Sequence, residues 1–341
     1  MTHHLSFHKF KPQDQVEGGY RIRATKKNFS VLQNMSFYKL VLERQAAREP
    51  HWHANADELG YCLKGELLVS FYGNKNTKEA FIIKEGHAFY IPSGALHSLE
   101  NIGKDKAEVI LQFSHEEPED FELPSVFGMF SDAVLGNTWD MPASYFKKMK
   151  RLAKESLIAK LERSTPVSKE AQYKSPYQFA LEESAPLVAN PEGTAKVARN
   201  NVWPALQKQA LYSLKLTGKG MREPHWHPET AEMGYVAKGK GRMSILSPSG
   251  KVDTYEMEAG DIYFIPKAYP HHIENLQSSE LHFLIFFDQP MPQDIGFTGS
   301  VKSFPDAMLS GMMRCKKEVF EDLPTYYEDL FIVKKRNPVD S

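Results

Sequence analysis

The chain has 341 residues, 41% of them hydrophobic and 25% charged, enough apolar material for two ordinary domains or one large one. Its formal net charge is −1, so it carries no electrostatic footprint for a nucleic-acid or membrane-surface partner. Two cysteines, Cys62 and Cys315, fit a reduced compartment better than a disulfide framework. The opening MTHHLSFHKFKPQDQ has no apolar signal core, and no run of about 18 apolar residues follows anywhere, so a cytoplasmic protein without a membrane span is expected.

In chain order, His3, His4 and His8 mark a polar terminus expected to lack order. YKLVLE then leads into EPHWHANADELGYCLKGEL, which begins at position 49, and GELLVSFYG, FIIKEGHAFYIPSG and EVILQF follow. These runs are short, rich in β-branched and aromatic residues, and punctuated by Gly, Pro, Asn and Ser, the pattern of an antiparallel sandwich or barrel. From 142 to 164, Phe146, Met149, Leu152, Leu157 and Leu161 recur at helical spacing among Lys and Arg, which predicts a closing helix. The proline-containing stretch that follows reads as a linker. YSLKL, EPHWHPETAEMGYVAKGKG, GRMSILSP, YEMEAGDIYFIPKA and LHFLIFF repeat the β pattern, and a second closing helix is expected over 315–332. The predicted organisation is an N-terminal domain over 1–165, a linker over 166–185 and a C-terminal domain over 186–341.

The two halves are copies. His51 and His225 lie 174 positions apart, and so do Gln33/Gln207, Tyr38/Tyr212, Arg48/Arg222, Glu58/Glu232, Gly65/Gly239, Pro92/Pro266, His97/His271, Asn101/Asn275 and Asp120/Asp294. The register runs without a gap from Gln33 to about Ala133. A period that long means two whole domains rather than a solenoid.

Chemistry concentrates where the copies agree best. Residues two apart on a strand share a face, so His51 and His53 project together. Glu58 follows on the next strand, and His97 arrives from a distant one after a Pro-Gly turn. His225, His227, Glu232 and His271 repeat the set, whereas His272 falls out of register. Three imidazoles and a carboxylate suit Mn(II), Fe(II), Zn(II) or Ni(II), and no thiolate is present to demand a softer ion. Such a set leaves coordination positions open for substrate, oxygen or water. Trp52 and Trp226 point away from the histidines and read as core packing.

HWHANADE with PSGALH, and HWHPETAE with PKAYPH, resemble the paired motifs of the cupin superfamily, over about residues 17 to 310. With REPHWH in both halves, the chain is similar to the bicupin oxalate decarboxylase and oxalate oxidase group. The resemblance implies an all-β fold with flanking helices, two tandem cupin (jelly-roll β-barrel) domains, and Mn(II) with dioxygen as cosubstrate. It also implies a small carboxylate substrate, oxalate above all, with the N-terminal centre as the catalytic one. A monomer is viable because one chain already pairs two cupin units, and larger assemblies through the two closing helices are what the family suggests. One departure is Ala268, where the family's turn usually carries Gly.

The resemblance further implies that Arg48 and Arg222 hold the substrate carboxylate, a role suited to a planar guanidinium fork. Strict alternation would aim Arg48 away from His51, but Pro50 and Pro224 interrupt ladder bonding there and allow a local kink. An ordinary ion pair with the adjacent Glu or another surface acid is the alternative. Decarboxylases of the family carry a lid, Ser-Glu-Asn-Ser-Thr, whose Glu donates a proton; here the comparable stretch is SHEEPEDFELP. Asp120, with Glu119 beside it, falls nearest that glutamate, and a structural turn at Asp120 and Asp294 is equally compatible. Two other readings stand beside the oxalate enzyme. One is an Fe(II) bicupin dioxygenase with an apolar pocket for an aromatic substrate; the other is a metabolite-binding bicupin without turnover.

Overall fold

The structure, a computed structural model, describes residues 2–149, 157–169, 171, 174–326 and 328–337. It divides into two compact units: an N-terminal one of Lys11–Asn28 and Asn34–Ala180, and a C-terminal one of Met1–Phe10, Phe29–Gln33 and Leu181–Ser341.

In the N-terminal unit one sheet runs Asp120–Glu122, Ala46–His53, Leu96–Asn101, Glu66–Tyr72, Lys78–Lys84, and Ile158–Lys160 also pairs with Ala46–His53. The second sheet runs Gln178–Phe179, Ala88–Ile91, Glu58–Lys64, Ala107–Phe113, Ser36–Leu42, Gly19–Ala24, Asp14–Val16. Both contribute alternate residues to one core, among them Leu40, Val109, Phe89 and Leu111 from one sheet and Val69, Phe81, Ile83 and Leu99 from the other. Fully burying each such side chain is worth about 1.5–3 kcal/mol, so the period-two pattern sets which face turns inward. The sheets remain separate ladders among the described residues and do not join into one continuous barrel.

The C-terminal unit repeats this plan, with Gly220–Trp226 between His271–Asn275 and Ile295–Gly296, and Glu232–Lys238 in the facing sheet. Its core gathers Leu214, Val236, Phe283, Ile285 and Phe287 with Met243, Met257 and Ile273. Asn101 and Asn275 do the same job in both copies: each donates across to a strand-end carbonyl, of Leu42 and of Leu216, at 3.0 Å.

The terminus is ordered, contrary to expectation. His4–Leu5 forms a strand on Ile262–Ile265, Phe7 is buried, and His4 and His8 both reach the Asp261 carboxylate at 3.0 Å. A free strand edge with a buried acid beside it supplies partners that the terminus cannot reveal by itself. In the N-terminal unit the equivalent edge, Ala88–Ile91, is covered by Gln178–Phe179, inside the stretch expected to be linker. The observed units thus depart from the expected boundaries at 1–10 and at 166–185.

The closing helices also differ. Within 142–164 only Ala143–Phe146 is helical and Ile158–Lys160 is a strand; residues 150–156 lie outside the described residues. Within 315–332 the helix is Glu318–Glu321, and Ile332 opens another strand. Further helices, Leu123–Met129 and Asp132–Trp139, Phe297–Val301 and Asp306–Met313, precede them. Tertiary pairing overrides the periodicity, because Ile158 is worth more buried on Ala46–His53 than on a solvated helix. No described helix is long and apolar enough to cross a membrane.

Ala268 adopts the left-handed backbone of its repeat partner: φ is +62° at Ala268 and +76° at Gly94. The turn is kept and the strain, about 1 kcal/mol, is carried by the fold.

His282 illustrates what burial does outside the ligand sets. Burial, aided by Lys215, pushes its imidazole down to about 4, and its Nε2 lies 2.8 Å from Ser213 Oγ. Above the unfolded value near 6.5 both states are neutral. As pH falls from there through about 4, the unfolded chain takes up a proton that the folded one refuses, so stability is progressively lost. His282→Gln should flatten the pH dependence of urea midpoints over that window while leaving other probes of the fold unchanged.

Candidate metal centres

The histidine strands carry a bulge. His97 pairs with His51 and Leu99 with Arg48, so two residues, Glu49 and Pro50, oppose the single Ser98; His271/His225 and Ile273/Arg222 repeat this. The extra residue at Glu49-Pro50 turns Arg48 onto the same buried side as His51, as the proline suggested. It also turns the Glu49 carbonyl onto the ring of His51, 2.7 Å from Nδ1.

Every histidine of the two sets is fixed in this way. His97 Nδ1 lies 2.9 Å from Ala95 O, and His53 Nδ1 2.7 Å from Asp120 Oδ1. In the second copy Glu223 O, Tyr269 O, and Gln293 O with Asp294 Oδ1 do the same for His225, His271 and His227. Carbonyls and ionised carboxylates can only accept, so each Nδ1 carries a proton and each Nε2 is the nitrogen turned to the interior. Edge-on packing of Phe113 against His53 (4.8 Å between centroids) and of Phe287 against His227 (5.0 Å) keeps the rings in place.

The four side chains of each set converge. His51, His53, Glu58 and His97 present one donor atom apiece within 4.8 Å of one another, as do His225, His227, Glu232 and His271, and all eight are buried. Glu58 Oε2 lies 2.9 Å from His53 Nε2 and 3.3 Å from His97 Nε2; Glu232 Oε2 lies 2.7 Å from His227 Nε2. Burial opposes ionisation of Glu58, but His97 and His53 outweigh it and hold the carboxyl down at about 2. Burial also lowers His53, yet its bonds to Asp120 and Glu58 raise it to about 9; His227 behaves alike with Asp294 and Glu232. His51 and His225 are driven well down, first by burial and then by the neighbouring arginine. His271 Nε2 and Glu58 Oε1 are buried without a hydrogen-bond partner. Orphaned donors amid an all-nitrogen-and-oxygen set are what a hard or borderline divalent cation would satisfy, so the residues fit a metal ion.

Asp120 and Glu119 are not where a proton donor is needed. Asp120 sits behind His53, on the nitrogen remote from the cluster, and pairs with Arg21 at 3.1 Å; after the burial cost, its bond to His53 holds it well below the usual carboxylate range. Glu119 is exposed, and Glu116 and Glu117 accept from the backbone of Asn34 and Lys27. Asp120 opens a strand paired with His53 rather than a turn, and its carboxylate, like that of Asp294 beside His227, positions the ring. Asp120→Ala should weaken metal retention at the first centre by about 10–100-fold, read by competition with a chromophoric chelator.

Arg48 is 3% exposed, and its fork is filled: Nη1 and Nη2 donate to Glu122 Oε2 and Oε1 at 2.7 and 2.6 Å, with Leu157 O at 3.1 Å from Nη1. Arg48 is in an ion pair, but its acid is the buried Glu122 rather than the adjacent Glu49 or a surface acid. Arg222, equally buried, donates to Phe331 O at 3.0 Å, lies 3.2 Å from Asp294 Oδ1, and has the Phe331 ring 3.6 Å away. Glu122 and Tyr263, whose hydroxyl donates to Glu232 Oε1 at 2.5 Å, were missed. Their signal was a break in the 174 register, since their counterparts are Gly296 and Phe89. Trp52 is half-buried and stacks on Phe121 at 5.4 Å, outside the core where it was expected.

A model of the cupin family matches residues 7–144 and again 179–319. The chain is 26% identical over 330 residues to the oxalate decarboxylase of Bacillus subtilis, covering 95% of this chain and 83% of that one. It is 26% identical over 288 residues to a probable oxalate decarboxylase of Arthroderma benhamiae, covering 81% and 70%. A solved structure of the B. subtilis oxalate decarboxylase superposes with a TM-score of 0.86 at 24% identity, covering 98% of this chain and 88% of that one. Two matches of one family model, each enclosing one bulged histidine strand and its quartet, make the assignment: the chain is a duplicated member of the cupin family.

Proposed function

We propose that the chain is a metal-dependent oxalate decarboxylase, with His51, His53, Glu58 and His97 holding one Mn(II) ion and His225, His227, Glu232 and His271 another. The observation that carries the reading is the pair of buried quartets, each with three imidazoles and one carboxylate turned inward beside a buried arginine. Similarity to oxalate decarboxylases along most of the chain supports the substrate, and the Mn(II) centres named for the B. subtilis enzyme support the ion over Fe(II), Ni(II) or Zn(II). The cavity beside the second quartet measures about 10 Å³ and is lined by Arg222, His225, His227, Glu232, Asp294 and Phe331 among others. That is room for about one water, so a substrate of any kind enters only as a lining side chain moves.

When bound, Mn(II) with dioxygen as cosubstrate would supply Lewis-acid and one-electron chemistry at the substrate carboxylate. The net change is one C–C bond broken: hydrogen oxalate gives formate and CO₂, its proton ending on the formate carbon. The chain's part is to orient and to exclude water. A guanidinium beside the quartet takes the second carboxylate as a fork and offsets its charge. The Nδ1 acceptors keep the imidazoles from turning, and Phe113 and Phe287 keep the interior dry. The test is to supply purified protein with Mn(II) and oxalate and to assay formate and hydrogen peroxide together. Formate supports the reading, peroxide alone makes the centre an oxidase, and neither product overturns it.

The two cysteines are free, which fits a cytoplasmic setting. An apolar groove of about 770 Å³ lined by Trp226, Phe297, Phe304, Met308, Met312 and Met313 supports a homo-oligomer, and gel filtration should report a mass above one chain.

A further inference from the structure

The two centres are built alike except where an incoming carboxylate would sit. Glu122 and Gly296 are repeat partners, 174 positions apart, and each lies opposite the first histidine of its set: Glu122 pairs with His51 and Gly296 with His225. In the N-terminal unit the Glu122 side chain, 1% exposed, places both carboxylate oxygens on the two terminal nitrogens of Arg48. This is the two-point contact a substrate carboxylate would make. In the C-terminal unit the residue there is a glycine, with the Asp329 and Glu223 carboxylates standing where a side chain would begin. Among the described residues no carboxylate grips Arg222 at two points, its contacts being Phe331 O and one oxygen of Asp294, and Arg222 and the quartet line a cavity of about 10 Å³. A second difference has the same sense. Tyr263 holds one oxygen of Glu232, so that carboxylate offers a single oxygen to its centre, whereas Phe89 leaves Glu58 Oε1 without a partner.

We infer that Glu122 is a built-in carboxylate that fills the anion fork of the N-terminal centre, so that the carboxylate substrate binds at the C-terminal centre on Arg222. The inference rests on the oxalate reading above and specifies which site serves it. A buried Arg–Glu fork is fully paired, and opening it for a competing anion breaks both of its charge-assisted hydrogen bonds. At Arg222 no two-point carboxylate pair has to open: its contacts are Phe331 O and a single oxygen of Asp294, and Phe331, over its face, shifts aside to admit the carboxylate.

The experiment is equilibrium dialysis of Mn(II)-loaded protein against radiolabelled oxalate, with the Mn(II) resonance spectrum recorded on the same samples. The wild type is expected to bind about one equivalent per chain and to change about half of its Mn(II) signal. Arg222→Met should weaken that binding by about 30-fold or more, while the charge-neutral double variant Arg48→Met/Glu122→Met retains it. Glu122→Ala, which vacates the fork, should take up a second equivalent. Two equivalents in the wild type, or one that survives Arg222→Met and is lost in the double variant, would overturn the inference. If Glu122→Ala does not fold, the comparison of the other two variants decides. Oxalate bound on Arg222 with no product formed would sink the decarboxylase reading and leave this assignment standing. If oxalate binds nowhere, the same comparison is made with formate and bicarbonate, and silence of all three overturns the inference too.

Discussion

Arg48→Met is expected to cost the N-terminal unit about 3–5 kcal/mol, because it strands the Glu122 carboxylate in a site from which water is excluded. The nearby acid Asp120 repels it, and Arg21 is committed to Asp14 and Asp120. Removing both partners tells a different story: Arg48→Met/Glu122→Met replaces a desolvated ion pair by apolar groups and should recover most of the loss. Urea denaturation of the two single variants and the double closes the cycle. A single variant as stable as the wild type would mean that the pair is solvated. In the C-terminal unit, Arg222→Met removes a cation that no carboxylate grips at two points, so its stability cost should be smaller.

The second large effect concerns the metal. His225→Ala should reduce bound metal from about two ions per chain to about one, and His51→Ala should do the same at the other centre. Loss of an inward-facing Nε2 removes a ligand outright, so affinity should fall by more than the about 10–100-fold expected for loss of an outer hydrogen-bond partner. Chelation of the wild type should lower stability through both centres at once, each contributing about 2.7 kcal/mol when free metal stands 100-fold above its dissociation constant. Elemental analysis and thermal melts with and without chelator are the measurements. Unchanged metal content in both histidine variants would remove the quartets as binding sites.

Much of the site could be read from one dimension because strand chemistry is local and the chain states it twice. His51 and His53 share a face by the pleat alone, Pro50 announced the bulge that returns Arg48 to that face, and the 174-residue register separated His271 from His272. The helices were legible only as apolar periodicity, and that periodicity was overruled. Leu157 and Phe331, again 174 apart, both take left-handed backbone, at φ +61° and +63°, to bring their carbonyls onto Arg48 and Arg222. No local propensity predicts such a backbone at a leucine or a phenylalanine; the partner arginine, more than a hundred residues away, selects it.

What the amino-acid order determined by itself was the duplication, the alternating β pattern of each copy and the eight side chains of the two quartets, since all of these follow from spacing along a strand. Tertiary structure alone decided that His4–Leu5 closes a sheet edge of the C-terminal unit, that Asp120 faces the back of His53, and that Glu122 fills the fork of Arg48. Those outcomes depend on which distant groups share a buried, low-dielectric space, where an ion pair or an open edge must find a partner, and separation along the chain carries no record of that.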